Sequence, residues 1–279
     1  MTVFQNEYRA ENSRKEDINE LKALWLSCFD DSPEAADLFF ERNKNTYHAY
    51  AATENGKIVS ALYLIDCSLG GAQAHYLCGA ATLPEFRNRG IMGKLIEYSL
   101  NDAKNRGDRF SVLLPASGKL YRFYGKHGYR ACCSVRGAMV HRNELERGCA
   151  DSILIGDTAD FEYIQYGFKR GNFLLWNNDY VRFAIEYYAC YGIKTAFSKN
   201  AMAIFEEENG VCNVFYCAYN DLKELKALLL GSSDSVRFVV YGKCGEEFFD
   251  ISKKEKYGMA KALSTTPLPK DIYIGITLS

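Results

Sequence analysis

The sequence is short of histidine and of the closely paired cysteines that build metal sites. Its 279 residues hold four histidines, at 48, 75, 127 and 141, and no two of its ten cysteines stand in a Cys-x-x-Cys pair. Zinc sites need close ligand pairs at fixed spacing, so no metal site is expected. Several cysteines fall inside apolar runs (Cys78, Cys190, Cys217), where a thiol behaves as a small hydrophobe, and reduced thiols in a cytoplasmic protein are the expectation. An excess of charge is missing too. Lys plus Arg is 34 and Asp plus Glu is 35, a net charge of −1, which argues against a general nucleic-acid binder. No run approaches the length of apolar residues needed to cross a bilayer, and the first residues, Met1 to Glu11, have no apolar core of the signal-peptide kind. Low-complexity segments and short-period repeats are absent as well.

What is present is an ordinary globular composition, 48% hydrophobic and 25% charged, long enough for two domains. Residues 15–29 carry apolar positions at helical spacing, and Ser32-Pro33 opens a second helix. Strands are expected at Tyr47–Thr53, Ile58–Cys67 and Gln73–Thr82, with an Asn55-Gly56 hairpin between the first two. A turn over Leu83–Gly90 leads into a helix whose face is Met92, Leu95, Ile96, Leu100 and Ala103 and which stops at Gly107. A short strand at Arg109–Pro115, a helix at Ser117–Lys126 and extended chain over Gly128–His141 follow. A polar stretch around 143–152 sets a domain boundary, taken as 1–145 and 146–279. Beyond it the pattern predicts helices at 158–170, 178–191 and 221–230, and strands at 194–207, 211–219, 235–242 and 246–251. A last strand is expected over Ile272–Leu278, where Ile272, Ile274, Ile276 and Leu278 alternate.

The chemistry concentrates in Arg87-Asn88-Arg89-Gly90-Ile91-Met92-Gly93. A helix N-terminus offers about four unpaired N–H groups and about half a positive charge. Glycines at 90 and 93 would open those donors to an anion, with Arg87, Arg89 and Lys94 adding charge. The pattern is neither a P-loop nor the dinucleotide Gly-x-Gly-x-x-Gly.

Arg87-x-x-Gly90-x-x-Gly93, led in by Pro84-Glu85-Phe86, resembles the Gln/Arg-x-x-Gly-x-Gly/Ala signature of the GNAT acetyltransferases. It departs from that pattern in having Met92 where the second small residue stands. Phe123-Tyr124-Gly125-Lys126-His127-Gly128-Tyr129 resembles the segment that ends the fourth helix of the same fold. The resemblance implies an α/β (α+β) fold with a mixed, mostly antiparallel central sheet flanked by helices. It also implies acetyl-CoA as cosubstrate, no metal, and direct acetyl transfer to a primary amine of a small molecule or peptide. The strand Gln73–Thr82 would splay from its neighbour and offer the backbone of Ala80, Ala81 and Thr82 to the pantetheine arm. Asn88, Arg89, Gly90, Ile91, Met92 and Gly93 would hold the pyrophosphate. Tyr124 would be the general acid, with Tyr121 one turn earlier as the alternative. For the general base His75, Asp66, the Ser279 carboxylate and water stay open. The second half resembles the degenerate GNAT-like half of tandem, enhanced-intracellular-survival-type proteins. Where a coenzyme loop would stand it reads Asn220-Asp221-Leu222-Lys223-Glu224, acidic and without glycine, so it is expected to lack a cofactor site. The acceptor amine is the expected partner, with no nucleic acid or membrane, and self-association stays open. A binding protein without turnover is the rival reading.

Overall fold

The computed structural model describes residues 2–3, 9–12, 17–42, 45–149, 164, 172–242 and 254–278. Along the chain come β1 (Thr2–Val3), β2 (Arg9–Asn12), α1 (Ile18–Cys28), α2 (Pro33–Arg42), β3 (Tyr47–Glu54), β4 (Lys57–Leu69), β5 (Ala72–Thr82), α3 (Ile91–Arg106), β6 (Phe110–Leu113) and α4 (Gly118–Lys126). Next are β7 (Ser134–His141), α5 (Arg142–Glu146), β8 (Leu174–Trp176), α6 (Asn178–Ala189), β9 (Lys194–Phe197), β10 (Ala201–Glu208), β11 (Val211–Tyr219), α7 (Leu222–Ser232), β12 (Arg237–Gly242), β13 (Lys254–Lys256) and β14 (Met259–Ala262).

Two units divide these elements: residues 1–131, 259–268 and 278–279 form the first, and 132–258 with 269–277 form the second. The boundary expected at 145/146 therefore differs from the structure on both sides. β7 belongs to the second unit, and the chain returns to the first at Met259.

The first unit's sheet runs in the order β1-β2-β3-β4-β5-β6-β14, antiparallel except for the parallel pair β5–β6. β4 is buried continuously from Ile58 to Ile65 because both faces are covered. Tyr63 points to α1 and α2, in an aromatic cluster with Trp25, Phe39, Phe40 and Tyr47. Leu62 and Leu64, one residue to either side, join the α3 residues Ile91, Leu95, Ile96 and Leu100 in the opposite core. The Ser32 hydroxyl accepts the Ala35 N–H at 3.1 Å, as the Ser-Pro start implied. Gly107, at φ 105°, closes α3 by donating to the Ala103 and Lys104 carbonyls.

The second unit's sheet runs β13-β7-β12-β11-β10-β9. The strand expected over 194–207 is two strands: Ser198-Lys199-Asn200 turns the chain, and β9 folds back on β10 with Met202 opposite Phe197. The polar turn residues interrupt an apolar run that reads as continuous by alternation alone. The expected last strand is not a strand either. Ile272 and Tyr273 make isolated bridges to Cys133 and Phe173, and Gly275 takes φ 74° with the Tyr216 ring where its Cβ would stand. Residues 272–277 are buried on both faces, so the apolar alternation reports burial rather than pleat. The helix expected at 158–170, apart from Ile164, the strand at 246–251, Cys244 and Ser279 lie outside the described residues.

Candidate active site

The site starts from a fault in the sheet. β5 pairs with β6 only at Ala74–Phe110, His75–Ser111 and Tyr76–Val112. The ladder ends there, because β6 runs only to Leu113 while β5 continues to Thr82, and the rest of this β5 edge is parted from it. On its other edge β5 carries a bulge: Ala61 faces Ala81, but Tyr63 faces Cys78, so Gly79 and Ala80 stand opposite Leu62. Gly79 sits at φ 57°, and a Cβ there would lie 2.3 Å from Trp25 Cζ3 and 2.7 Å from Tyr63 Cδ2. Only glycine meets both demands. Trp25 on α1 thus presses directly on the bulge that bends β5 away. Sequence reasoning missed Gly79 and Trp25; the lone glycine inside an apolar strand was the available signal.

The parted edge leads into the loop. Ser60 Oγ donates to the Ala81 carbonyl at 2.9 Å and lies 2.8 Å from Thr82 Oγ1, and the Leu83 N–H donates to the Val59 carbonyl. A 3₁₀ turn, Pro84–Phe86, follows. Arg87 Nε donates to the Thr82 carbonyl at 2.9 Å, and Arg89 Nη2 to the Glu85 carbonyl at 2.8 Å, with its guanidinium 5.0 Å over the Phe86 ring and 3.9 Å from Glu54. Both arginines hold the loop's shape. Of the carbonyls expected to serve a ligand, those of Ala81 and Thr82 already have donors on the chain.

Asn88 and Gly90 both take left-handed conformations, φ 62° and 75°, which turns the chain into α3. Gly90 is its N-cap and no side chain caps it; the first helical bond is Lys94 N–H to the Gly90 carbonyl. The space around a Cβ on Gly90 is open to 4 Å. The N–H groups of Ile91, Met92 and Gly93 therefore open this helix, as expected of an anion cradle. Gly93 has a different reason from the one expected. A Cβ there would meet His127 Cε1 at 2.9 Å and Nε2 at 3.2 Å, so this glycine admits the imidazole that caps the end of α4 rather than a ligand.

Tyr124, from α4, is buried in the core that includes Leu77, Ile91, Leu95 and Leu113, edge-on to Tyr129 at 5.8 Å. Burial, then the neighbouring Cys78 thiol, pushes its pKa up to about 12. The phenol is therefore protonated throughout the neutral range, beside the residue where β5 bends. Tyr121 packs against the same core, half-buried.

The expected bases are elsewhere. His75 is fully buried, with Nδ1 2.6 Å from Asp108 Oδ2; Gln73 Nε2 donates to Asp108 Oδ1 at 2.8 Å, and Arg106 stands 3.6 Å away. Burial lowers the His75 pKa, leaving a neutral ring that donates to an aspartate. Burial alone would raise Asp108, but the His75 and Gln73 hydrogen bonds and Arg106 outweigh it and hold the carboxyl below its ordinary range. Asp66 pairs in register with His75 and lies 3.3 Å from His48 Nε2. Both stand where β5 is still paired with β6, about 16 Å of strand from Ala80 at the usual rise, away from the main chain expected to face the coenzyme. Arg106, in the last turn of α3, bonds Asp102 at 2.6 Å and donates to the Tyr50 hydroxyl.

In the second unit, α7 occupies the place of α3 but is capped. Asp221 accepts the Lys223 N–H at 2.8 Å, so a carboxylate of the chain itself takes a donor that the first unit leaves open. Among the described residues no group of three or more His, Cys, Asp or Glu could hold a metal, no helix is long and apolar enough to cross a membrane, and none of the nine cysteines is in a disulfide.

Residues 9–132 match the family model described as acetyltransferase (GNAT) domain. Solved structures share the fold over most of this chain. A conserved protein of Enterococcus faecalis V583, described as a probable N-acyltransferase, superposes with TM-score 0.73 at 18% identity, over 92% of this chain and 73% of its own. A GCN5-related N-acetyltransferase from Kribbella flavida gives 0.69 at 14%, over 92% and 72%, and Eis1 from Mycobacterium abscessus gives 0.67 at 14%, over 92% and 74%. No curated protein matches. The fold is therefore that of the GNAT acetyltransferases.

Proposed function

We propose that the chain is an acetyl-CoA-dependent N-acetyltransferase that moves an acetyl group directly to a primary amine of a small molecule or peptide, in a cytoplasmic setting suited to its free thiols. The observation that carries this reading is the conjunction, in one unit, of the parted β5–β6 edge, the uncapped α3 N-terminus and the buried Tyr124 phenol. The residues fit the coenzyme. The Ile91, Met92 and Gly93 amides would hold its pyrophosphate, with Asn88 and Gly90 shaping the turn and Lys94 beside it, and the main chain around Ala80 would face the pantetheine arm. The bound coenzyme supplies a thioester.

Tyr124 donates its proton to the leaving sulfur. A phenol near pKa 12 is a weak acid, but burial raises the Cys78 thiol beside it as well. A thiolate formed in the same dry surroundings gains basicity by the same cause, which narrows the gap the proton must cross. The second unit, its matching helix closed by Asp221, works without a coenzyme.

The test offers polyamines, aminoglycosides, amino acids and peptides with acetyl-CoA and reads released thiol. Tyr124→Phe is expected to lower turnover about 100-fold or more with coenzyme affinity within twofold. Full turnover in that variant removes Tyr124 from the mechanism. A second reading, an acyl-CoA sensor without turnover, is favoured by one feature: His75 is sealed in the core and Asp66 pairs with it in register, both about 16 Å of strand from Ala80. It predicts tight coenzyme binding with no thiol release for any amine.

A further inference from the structure

The imidazole of His127 packs on the main chain of the α3 N-terminal turn at Gly93, and the proposed reaction leaves it unused. Its Cε1 and Nε2 stand 2.9 and 3.2 Å from where a Cβ on Gly93 would be. The Gly93 amide is itself one of the donors left open by the uncapped helix. The ring also meets Phe123 edge-on at 5.0 Å, which fixes it against α3. The charges around it come from three elements: Glu97 on α3, Lys126 on its own α4 and Lys261 on β14. Two cations against one anion, together with the positive end of α3, leave this corner in want of negative charge.

Resting on the coenzyme reading above, we propose that His127 is a proton-linked positioning residue for the diphosphate: it takes up a proton when a dianion settles on the α3 amides, and its positive charge then helps hold that ligand. Partial burial lowers the pKa of the unliganded ring, with Lys261 and Lys126 acting in the same sense and Glu97 opposing them. An anion on the adjoining amides raises it. Between the two values, binding therefore consumes a proton. Affinity is highest below the free-protein pKa, weakens as pH rises to the bound-state pKa, and is level above it. Glycine at 93 is what permits this, since any side chain there would displace the ring.

Dephospho-CoA is the probe, because it keeps the diphosphate and lacks the 3′-phosphate monoester, which itself titrates near pH 6. In the full chain, affinity for dephospho-CoA is expected to fall about tenfold between pH 5.5 and 7.5, the size of a one-unit linked shift. His127→Gln and His127→Phe, the second of which keeps an aromatic ring against Gly93, should each flatten that dependence to within twofold. The His127 ring resonance, followed by NMR, should titrate at higher pH with the ligand bound than without. Binding that is independent of pH in the unaltered protein, a dependence that survives in both variants, or an unmoved ring titration overturns the role of His127 and leaves the coenzyme reading standing. Failure of dephospho-CoA and CoA to bind at any pH overturns both.

Discussion

His75 shows how a residue type can suggest the wrong role. A histidine on a central strand, with an aspartate for a partner, has the parts of a base. The structure gives it no solvent and no reach, and the Nε2 that a base would use is buried without a partner among the described residues. Its work is to close the β5–β6 end of the sheet with Asp108, Gln73, Arg106, Asp102 and Tyr50. The sign of its pH effect follows. The folded-state pKa is lowered by burial, so below its unfolded value near 6.5 the unfolded chain binds the extra proton and stability falls as pH falls, by up to about 1.4 kcal/mol per unit. Asp108 is lowered too, so its contribution is present at neutral pH and is lost below about pH 4. Urea unfolding between pH 7 and 5 should show the His75 slope, and His75→Gln should remove it; an equal slope in the variant would mean that another group titrates. Asp108→Asn, which exchanges an ionic acceptor for a neutral one, should cost about 2–3 kcal/mol at pH 7.

At the scale of elements, the helix and strand around the site were legible because their signals are local. Gly107 ends α3, Ser32 starts α2, and Asn55-Gly56 turns β3 into β4. The loop's glycine at 90 was legible for the same reason, since a left-handed N-cap with open space around it needs no other side chain to explain it. The reasons for Gly79 and Gly93 were not legible, though a lone glycine in an apolar strand marked the first. Each depends on a side chain from a distant element, α1 in one case and α4 in the other. The two glycines therefore predict opposite outcomes. Gly90→Glu adds strain of about 1–2 kcal/mol at φ 75°, but its carboxylate can settle on the helix amides and occupy them. It should melt within a few degrees of the unaltered protein and lose acetyl-CoA affinity at least 100-fold, and unchanged affinity would refute the loop assignment. Gly79→Ala drives a methyl into Trp25 and Tyr63 at a left-handed position. It should lose about 2–5 kcal/mol of stability, visible as a lowered urea midpoint with or without ligand. A midpoint equal to that of the unaltered protein would show that α1 yields easily and does not set the bulge.

The whole chain uses one arrangement twice. In the first unit β4, β5, α3 and β6 form an antiparallel pair, a helix and a parallel return; β10, β11, α7 and β12 repeat that order, again with a parallel pair, Val211–Val214 on Arg237–Val240, and a bulge next to it. The two copies differ where function would be decided, at a helix start left bare by Gly90 in one and closed by Asp221 in the other. They are also not consecutive, because β14 returns from the end of the second half to pair with β6, Ala260 opposite Val112, while the Ala260 N–H donates to the Arg130 carbonyl at 2.9 Å. That crossing could not be read from a boundary drawn in sequence, since Met259–Ala262 carries no local mark of which sheet it joins. It makes a prediction that separates the units. Acetyl-CoA at about 100 times its dissociation constant should add about 2.7 kcal/mol to the unit that binds it, so calorimetry should show one transition that rises with ligand and one that does not. Ala260→Pro removes a sheet donor from a buried strand far along the chain from the coenzyme loop, and it should lower the ligand-sensitive transition while leaving the other in place. If it lowers the insensitive transition instead, β14 stabilises the second unit, and the first unit's sheet ends at β6.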